Sequence, residues 1–467
     1  MSPRPKPPRL RGTSKIAPAP STGTSPVLLD IKGPGPTLFF TFLFFLCSAD
    51  MFFAARIHDL NFRYGQFLLL LGALLILAPL TRATFTKWKG TEPYLPLFRN
   101  WLPFFLFYIL SATFSGDLTH SYLKWGWALF NIGGAAILCL HRGPWAPVRN
   151  GLFFGILAIA GFIWIEFIGL YWLPGLSSVQ MSPASGPFLC FLGLPLGFVQ
   201  DAGRLDGIQL FRPHAFFYEP SYAGCALSFA FPLCLALGLK EGSGPGRSIL
   251  TPAFILVAAW MTSSRSAIFG TLFSLILIFL GSLLLRQKAL LKRTTQVVLV
   301  TLLLFGLLAL SARARTYADF FIGITEPQKM ATRVVNPSSS EGWRMANILH
   351  SLKVWKEHPL LGMGVPPLES DRGLHGLGQT SESMWLEVGV ETGLLGFLAY
   401  AFGLLKTMAD AAKGMKDRSI LLLVGAALAA FTIISMNLTS TFPRLDYWII
   451  YFFAVRLLLE VKKEGTP

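Results

Sequence analysis

The sequence predicts an all-α membrane protein of about twelve transmembrane helices. Three observations predict it: how little of the chain is charged, how its apolar residues cluster, and where its Lys and Arg residues fall. Of 467 residues, 53% are hydrophobic and 14% charged, against roughly 45–50% apolar and about 25% charged in an ordinary soluble domain. That balance excludes disorder over most of the length and argues against a string of soluble domains. The apolar residues recur in runs near the length of about 20 that crosses a bilayer as a helix.

Residues 1–36 come first, with nine of the 31 prolines and six Lys or Arg. So little apolar surface cannot support a fold, and the stretch reads as a disordered, basic cytoplasmic tail. No signal peptide is expected, because the first apolar run begins only near Thr37. The remainder, 37–467, reads as one polytopic membrane domain. Apolar length and the 3.6-residue period place spans at 37–55, 66–81, 100–114, 125–141, 150–172, 222–239, 248–264, 266–285, 296–311, 386–405, 419–436 and 446–460.

Lys and Arg orient these spans, since short cytoplasmic loops carry the excess. With the N-terminus inside, cytoplasmic segments hold 24 of the 40 and the opposite side holds 15, the last being Arg456 within a span. Eight of the fifteen fall in one loop too long to obey the rule, so the useful comparison is 24 against 7. Both termini are therefore expected in the cytoplasm. The net charge of +16, which in a soluble chain suggests nucleic acid, is topogenic here, and no nucleic-acid partner is expected. The five cysteines (Cys47, Cys139, Cys190, Cys225, Cys234) show neither CxxC spacing nor an even set in one loop. They suggest no disulfide framework or zinc site.

Two outward segments, 173–221 and 312–385, are much longer than the other connections. Spanning a bilayer does not require them, so chemistry is expected there. The first ends in Arg212-Pro213-His214-Ala215-Phe216-Phe217-Tyr218-Glu219-Pro220-Ser221. An Arg and a Glu separated by aromatics and stiffened by two prolines could present a cation to a phosphate and a carboxylate to a hydroxyl. The structural alternative is an interfacial aromatic belt with a snorkelling Arg and a Pro-Ser helix start.

Thr262-Ser263-Ser264-Arg265-Ser266, the turn between two spans, is either a phosphate site or a helix-capping Ser cluster with Arg at the interface. Arg344 opens a helix whose apolar stripe runs through Met345, Ile348, Leu349, Leu352 and Trp355, stopped by His358-Pro359. Lying on the membrane, this helix either shields the bundle or walls a groove for a lipid-borne substrate. Leu361-Gly362-Met363-Gly364 is no dinucleotide fingerprint, because no strand precedes it. Glu387 and Glu391 share one face near the start of a span, Glu382 lies just outside it, and Glu166 lies within another. Carboxylates so placed need partners, whether catalytic or structural. No DxD, HExxH, paired Cys/His pattern or P-loop is present, so a metal-independent reaction without nucleotide or other cofactor is expected.

Four segments in this order resemble the O-antigen ligase and Wzy-type polysaccharide polymerase superfamily: Arg212 to Ser221, Ser263 to Gly270, Arg344 to Val365, and Trp385 to Gly396 with its Glu-Thr-Gly-Leu-Leu-Gly ending. The resemblance covers about 205–405. It implies a GT-C-like glycosyltransferase of the bacterial inner membrane, whose two long loops are periplasmic. Its donor and acceptor would be undecaprenyl-diphosphate-linked glycans, and a chain-length regulator and a flippase would be its partners. It also implies that Arg212, Arg265 and Arg344 engage the diphosphate, a charge best met bidentately by Arg. Many ligases carry His-Asn where this chain has Glu382-Ser383. The departure leans toward a polymerase, with Glu219 or Glu382 as the catalytic base; the alternative is a ligase acting on lipid A core. A reading of another class is a lipid-linked oligosaccharide flippase or other twelve-span transporter, for which an internal repeat is expected and none is seen.

Overall fold

The structure, a computed structural model, describes residues 35–48, 53–57, 60–63, 95–140, 145–182, 186–205, 208–215, 217, 220–240, 244–324, 340–364, 383–436 and 444–464. The basic tail through residue 34, the expected span at 66–81, and the two expected catalytic carboxylates Glu219 and Glu382 lie outside the described residues.

Helices stand at the expected spans that fall among the described residues, save the end of the first. In order they are α1 (Gly35–Ser48), α2 (Leu102–Thr113), α3 (Leu118–Leu140), α4 (Trp145–Tyr171), α5 (Pro220–Lys240), α6 (Thr251–Met261), α7 (Arg265–Leu284) and α8 (Lys288–Leu308). After these come α9 (Ala312–Ile324), α10 (Ser340–Glu357), α11 (Met384–Ala412), α12 (Arg418–Met436) and α13 (Leu445–Glu464). Seven of them are long and apolar enough to cross a membrane: α3, α4, α5, α7, α8, α11 and α12. A 3-10 turn, Leu95–Trp101, leads into α2, and a π turn, Gly246–Leu250, leads into α6. The chain is thus a largely helical membrane protein. The first expected span, 37–55, is shorter than its apolar run: α1 stops at Ser48, and β1 (Phe53–Ile57) pairs antiparallel with β2 (Leu60–Arg63).

Local chemistry sets the ends. Proline sits in the first turn of α2 and of α6, where no N–H needs an intrahelical partner. Asp117 Oδ1 accepts from His120 N at 2.9 Å to start α3, and Asp417 Oδ1 accepts from Ser419 N at 2.9 Å to start α12.

Helix α5 is almost wholly buried and forms the centre of the bundle, while α7 and α8 turn most of their surface outward. Gly224 of α5 lets the 262 turn and α7 come close: a Cβ there would lie 2.9 Å from that of Ala267. Beside α5, Trp101, Phe104, Tyr400, Trp448 and Tyr451 pack as buried aromatics, mostly edge to face. Trp101 and Trp448 meet at 5.2 Å and 87°.

The first long outward segment holds more structure than the sequence reading assigned. Residues 177–213 form an antiparallel meander of β3 (Ser177–Ser182), β4 (Gly186–Phe191), β5 (Leu194–Leu205) and β6 (Ile208–Pro213). Leu192 and Gly193, both at positive φ (52° and 79°), make the tight turn between β4 and β5 that the right-handed twist of a hairpin favours. The sheet sits on the end of α4: Ser177 Oγ donates to Gly169 O at 2.6 Å, and Tyr171 OH donates to Phe211 O at 2.5 Å. Ser311 Oγ, just past α8, donates to Tyr171 O at 2.6 Å.

Because successive helices alternate in direction, one end of the bundle gathers the sheet, the turn before α5, the α6–α7 turn, α9, α10, the start of α11 and the start of α13.

Candidate functional site

The α6–α7 turn, Thr262 to Ser264, is buried although it is rich in hydroxyls. Each group is accounted for by a neighbour. Thr262 Oγ1 donates to Ala259 O at 2.7 Å, and Ser264 Oγ caps α7 by accepting from Ala267 N at 3.3 Å. Ser263 adopts φ 51°, a left-handed position that costs a side-chain-bearing residue about 1 kcal/mol or more. Its Oγ donates to Tyr317 OH at 2.6 Å, and that hydroxyl donates to Met261 O at 2.7 Å. Burial holds the Tyr317 phenol above its usual range, so it stays a neutral donor.

Arg212 reaches this turn from β6. Nε donates to Thr262 O at 3.0 Å, Nη2 to Ser263 O at 3.1 Å and Nη1 to Gln200 Oε1 of β5 at 3.1 Å. The guanidinium fork therefore clamps two consecutive carbonyls, one residue short of Arg265, which is half-buried at the first position of α7. Two of the three expected diphosphate-binding arginines, far apart in sequence, are thereby brought to one turn. Arg344 is half-buried on α10, at the same end of the bundle.

The segment after Arg212 is held by Glu166 of α4. Its Oε2 accepts from His214 N at 3.0 Å and Ala215 N at 2.9 Å, and the side chain is fully buried. Ala215 is a second non-glycine residue in the left-handed region, at φ 53°. His214 Nδ1 lies 2.5 Å from Phe217 O. The sequence left Glu166 open between catalysis and a basic partner. Its contacts are instead backbone amides, two N–H groups converging on one carboxyl oxygen.

Arg444 was not legible as a site residue from sequence. It lies just before α13, only 2% exposed, and pairs with buried Asp446 through Nε–Oδ1 at 3.2 Å and Nη2–Oδ2 at 3.1 Å. Its guanidinium carbon stands 4.4 Å from the Tyr222 ring centre, 5.2 Å from Phe217 and 5.5 Å from Tyr447. A single Arg before a short apolar run gave little signal. Its partners Asp446 and Tyr447 are near it in sequence, but Phe217 and Tyr222 come from the distant stretch around the start of α5.

Helix α11 supplies the remaining chemistry. It breaks at Gly393, where φ 67° and ψ −169° leave the helical region. The irregular stretch 359–364 fills the break with its own backbone. Leu394 N donates to Pro359 O at 2.8 Å and Leu395 N to Leu360 O at 3.2 Å; Met363 N donates to Val390 O and Gly364 N to Glu391 O, both at 3.0 Å. The His-Pro-Leu-Leu-Gly-x-Gly and Glu-Thr-Gly-Leu-Leu-Gly segments are thus two halves of one interlocked unit. Gly362 and Gly364, at φ 70° and 71°, complete it. A Cβ on Gly362 would stand 2.5 Å from the Glu391 carbonyl and from Gly393 N. Trp355 of α10 packs on the same helix: it lies 5.3 Å from the Phe397 ring, and a Cβ on Gly389 would meet it at 2.8 Å.

Glu387 and Glu391 find the cation that their burial requires. Lys124 of α3 bridges them, 2.7 Å from Glu387 Oε1 and in contact with Glu391 Oε1. Tyr108 OH donates to Glu391 Oε2 at 2.8 Å, and Ser111 Oγ bonds Glu391 O. Lys124 sits one residue before the expected span 125–141, and that position was its sequence signal. The structural alternative therefore holds for this pair. Among the described residues, no three His, Cys, Asp or Glu side chains gather as a metal site, and Cys139, Cys190, Cys225 and Cys234 are free and buried.

Residues 250–401 match the family model Wzy_C, described as O-Antigen ligase. The match supports the O-antigen ligase and Wzy-type superfamily. It takes in α6, the Thr262–Arg265 turn, α10 with Arg344, the 359–364 stretch and the break in α11, and stops short of Arg212, Glu166 and Arg444. Among curated proteins none matches the chain.

Proposed function

We propose, from the O-antigen ligase-like character of residues 250–401, that this membrane protein is a glycosyltransferase polymerising undecaprenyl-diphosphate-linked repeat units, without a metal, at the periplasmic face of the bacterial inner membrane. It transfers the growing glycan from its lipid diphosphate to a sugar hydroxyl of an incoming unit. The carrying observation is the Arg212 clamp. It ties the first long loop to the turn that presents Arg265, within the end of the bundle that also bears Arg344.

A diphosphate leaving group needs fixed positive charge where negative charge develops. Arg265 and Arg344 supply it, and Arg212 adds charge while holding the turn. An attacking hydroxyl must lose its proton to a base, and Glu219 or Glu382 is that base. Glu219 follows the turn that Glu166 orders, and Glu382 adjoins Ser383, whose extended backbone (φ −148°, ψ 124°) caps α11. The Glu382-Ser383 pair, in place of the His-Asn of many ligases, favours polymerisation. The description of the family model as a ligase favours the second reading, transfer of finished glycan to a lipid core.

Replacing Arg265 with Ala in the native host separates these outcomes. Loss of a polymerase leaves single repeats, lipid-linked or core-linked; loss of a ligase strands long polymer on undecaprenyl diphosphate. A flippase defect traps single units on the cytoplasmic leaflet. Long polymer in normal amounts, with the variant present in the membrane, would overturn the assignment of Arg265.

A further inference from the structure

Helix α10 carries its polarity in the reverse of the usual sense. Asn347 and Ser351 are buried, while Met345, Leu349 and Leu352 are exposed. Arg344, Asn347 and Ser351 lie at i, i+3 and i+7 and so share one face. A helix held only by an apolar stripe would bury the opposite set. The outward apolar residues suit hydrocarbon, and the inward polar ones need polar partners.

Asn347 lacks one. Its side chain is 4% exposed, yet Nδ2 makes no hydrogen bond. A buried amide donor without an acceptor is a standing cost, and a ligand oxygen placed there removes it. One turn earlier on the same face stands Arg344, with Cβ atoms about 5–6 Å apart at such spacing. That separation matches the step from a diphosphate to the sugar joined to it.

We propose that Asn347 is a specificity-determining residue, donating through Nδ2 to an oxygen of the sugar unit bonded directly to the lipid diphosphate. This rests on the function proposed above and assigns that site a sugar-reading contact beyond its charge contacts. In this arrangement α10 faces lipid with Met345, Leu349 and Leu352 and faces the glycan with Arg344, Asn347 and Ser351.

The test compares two lipids bound to the full-length protein in lipid nanodiscs: undecaprenyl diphosphate itself, and the undecaprenyl-diphosphate-linked repeat unit extracted from the host. N347A should bind the glycosylated lipid about tenfold more weakly, the loss of roughly one hydrogen bond in a closed site, with undecaprenyl diphosphate bound as in wild type. R344A should weaken both. N347L provides a variant that removes the orphan donor while keeping the volume, so it should fold and still lose affinity for the glycosylated lipid alone. Unchanged binding of that lipid to N347L, or equal losses for both lipids in N347A, overturns the sugar contact. Wild-type protein that binds neither lipid overturns the proposed function and this contact with it, a pattern that no Asn347 variant imitates.

Discussion

Ser263 and Ala215 share an unusual property: each holds a side chain at positive φ, and a side chain from another element holds each in place. Arg212 takes the carbonyl of Ser263, and Glu166 takes the amide of Ala215. Strain of this kind persists only where surroundings over-determine it, and it concentrates at working sites. Sequence showed that these segments were rich in chemistry, but it left Thr262–Ser266 open between a cap and an anion site. The structure divides the roles by residue: Ser264 caps, Ser263 lends its carbonyl to Arg212, and Arg265 opens the helix. The clamp was not legible because it joins residues 50 and 51 positions apart through backbone oxygens, which leave no trace in side-chain pattern. Two outcomes are expected. Glu166→Leu orphans two buried amides at about 1–3 kcal/mol each, so thermal unfolding in detergent should fall by several degrees; Glu166→Gln keeps an acceptor oxygen and should fall far less. Arg212→Lys retains the charge but cannot span two carbonyls. It should lose polymer formation nearly as fully as Arg212→Ala, and wild-type polymer from Arg212→Lys would reduce the clamp to a charge.

At the scale of elements, the break in α11 explains why two glycine-bearing segments distant in sequence occur together. An interrupted helix at membrane depth must have its freed backbone groups satisfied by protein, and residues 359–364 do this with two donors and two acceptors. Gly393→Ala puts a Cβ at positive φ against Leu360 and Gly362 and should cost more than about 2 kcal/mol, read as loss of folded protein from the membrane. Gly425, in α12 with open space around its Cα, is the control: Gly425→Ala should be neutral or stabilise by about 0.5–1 kcal/mol. The helices themselves were legible because apolar length is a local signal. The meander β3–β6 was not, since strands of mixed polarity on a bundle's end carry little of it. The need for a partner to Glu387 and Glu391 was readable, but the identity of Lys124, which reaches α11 from the start of α3, was set by tertiary structure. Removing one member of a buried pair costs about 3–5 kcal/mol, so Lys124→Met should destabilise strongly. Adding Glu387→Gln and Glu391→Gln to it should restore stability; if the triple variant is worse than Lys124→Met alone, the cluster does more than neutralise itself.

For the whole molecule, the question is what the excess positive charge is for. The count of 24 Lys and Arg on one side against 7 in short loops on the other implies that most of it fixes orientation. In the structure some of the described Lys and Arg residues can be placed at one end of the bundle or the other. Lys288, Lys292 and Arg293 lie at or near the α7–α8 connection, whereas Arg212, Arg265, Arg344 and Arg444 lie at the sheet-bearing end. The lysines of the first set and the arginines of the second also differ in environment. Lys292 is exposed, while Arg212, Arg265 and Arg344 are half-buried and Arg444 is sealed by aromatic rings. Charge held out of water has to be matched by protein or by substrate, whereas charge in water need only be on the correct side. The proposed orientation then makes a direct prediction. Lys353 and Lys292 are both exposed, at opposite ends, and Cys139, Cys190, Cys225 and Cys234 are buried, which limits background. In intact spheroplasts a membrane-impermeant thiol reagent should label Lys353→Cys at once and Lys292→Cys only after the membrane is opened. The reverse pattern would place the sheet, the arginine turn and α10 in the cytoplasm. A lipid diphosphate presented from the periplasm could not then reach them, and the polymerase and ligase readings would fall together.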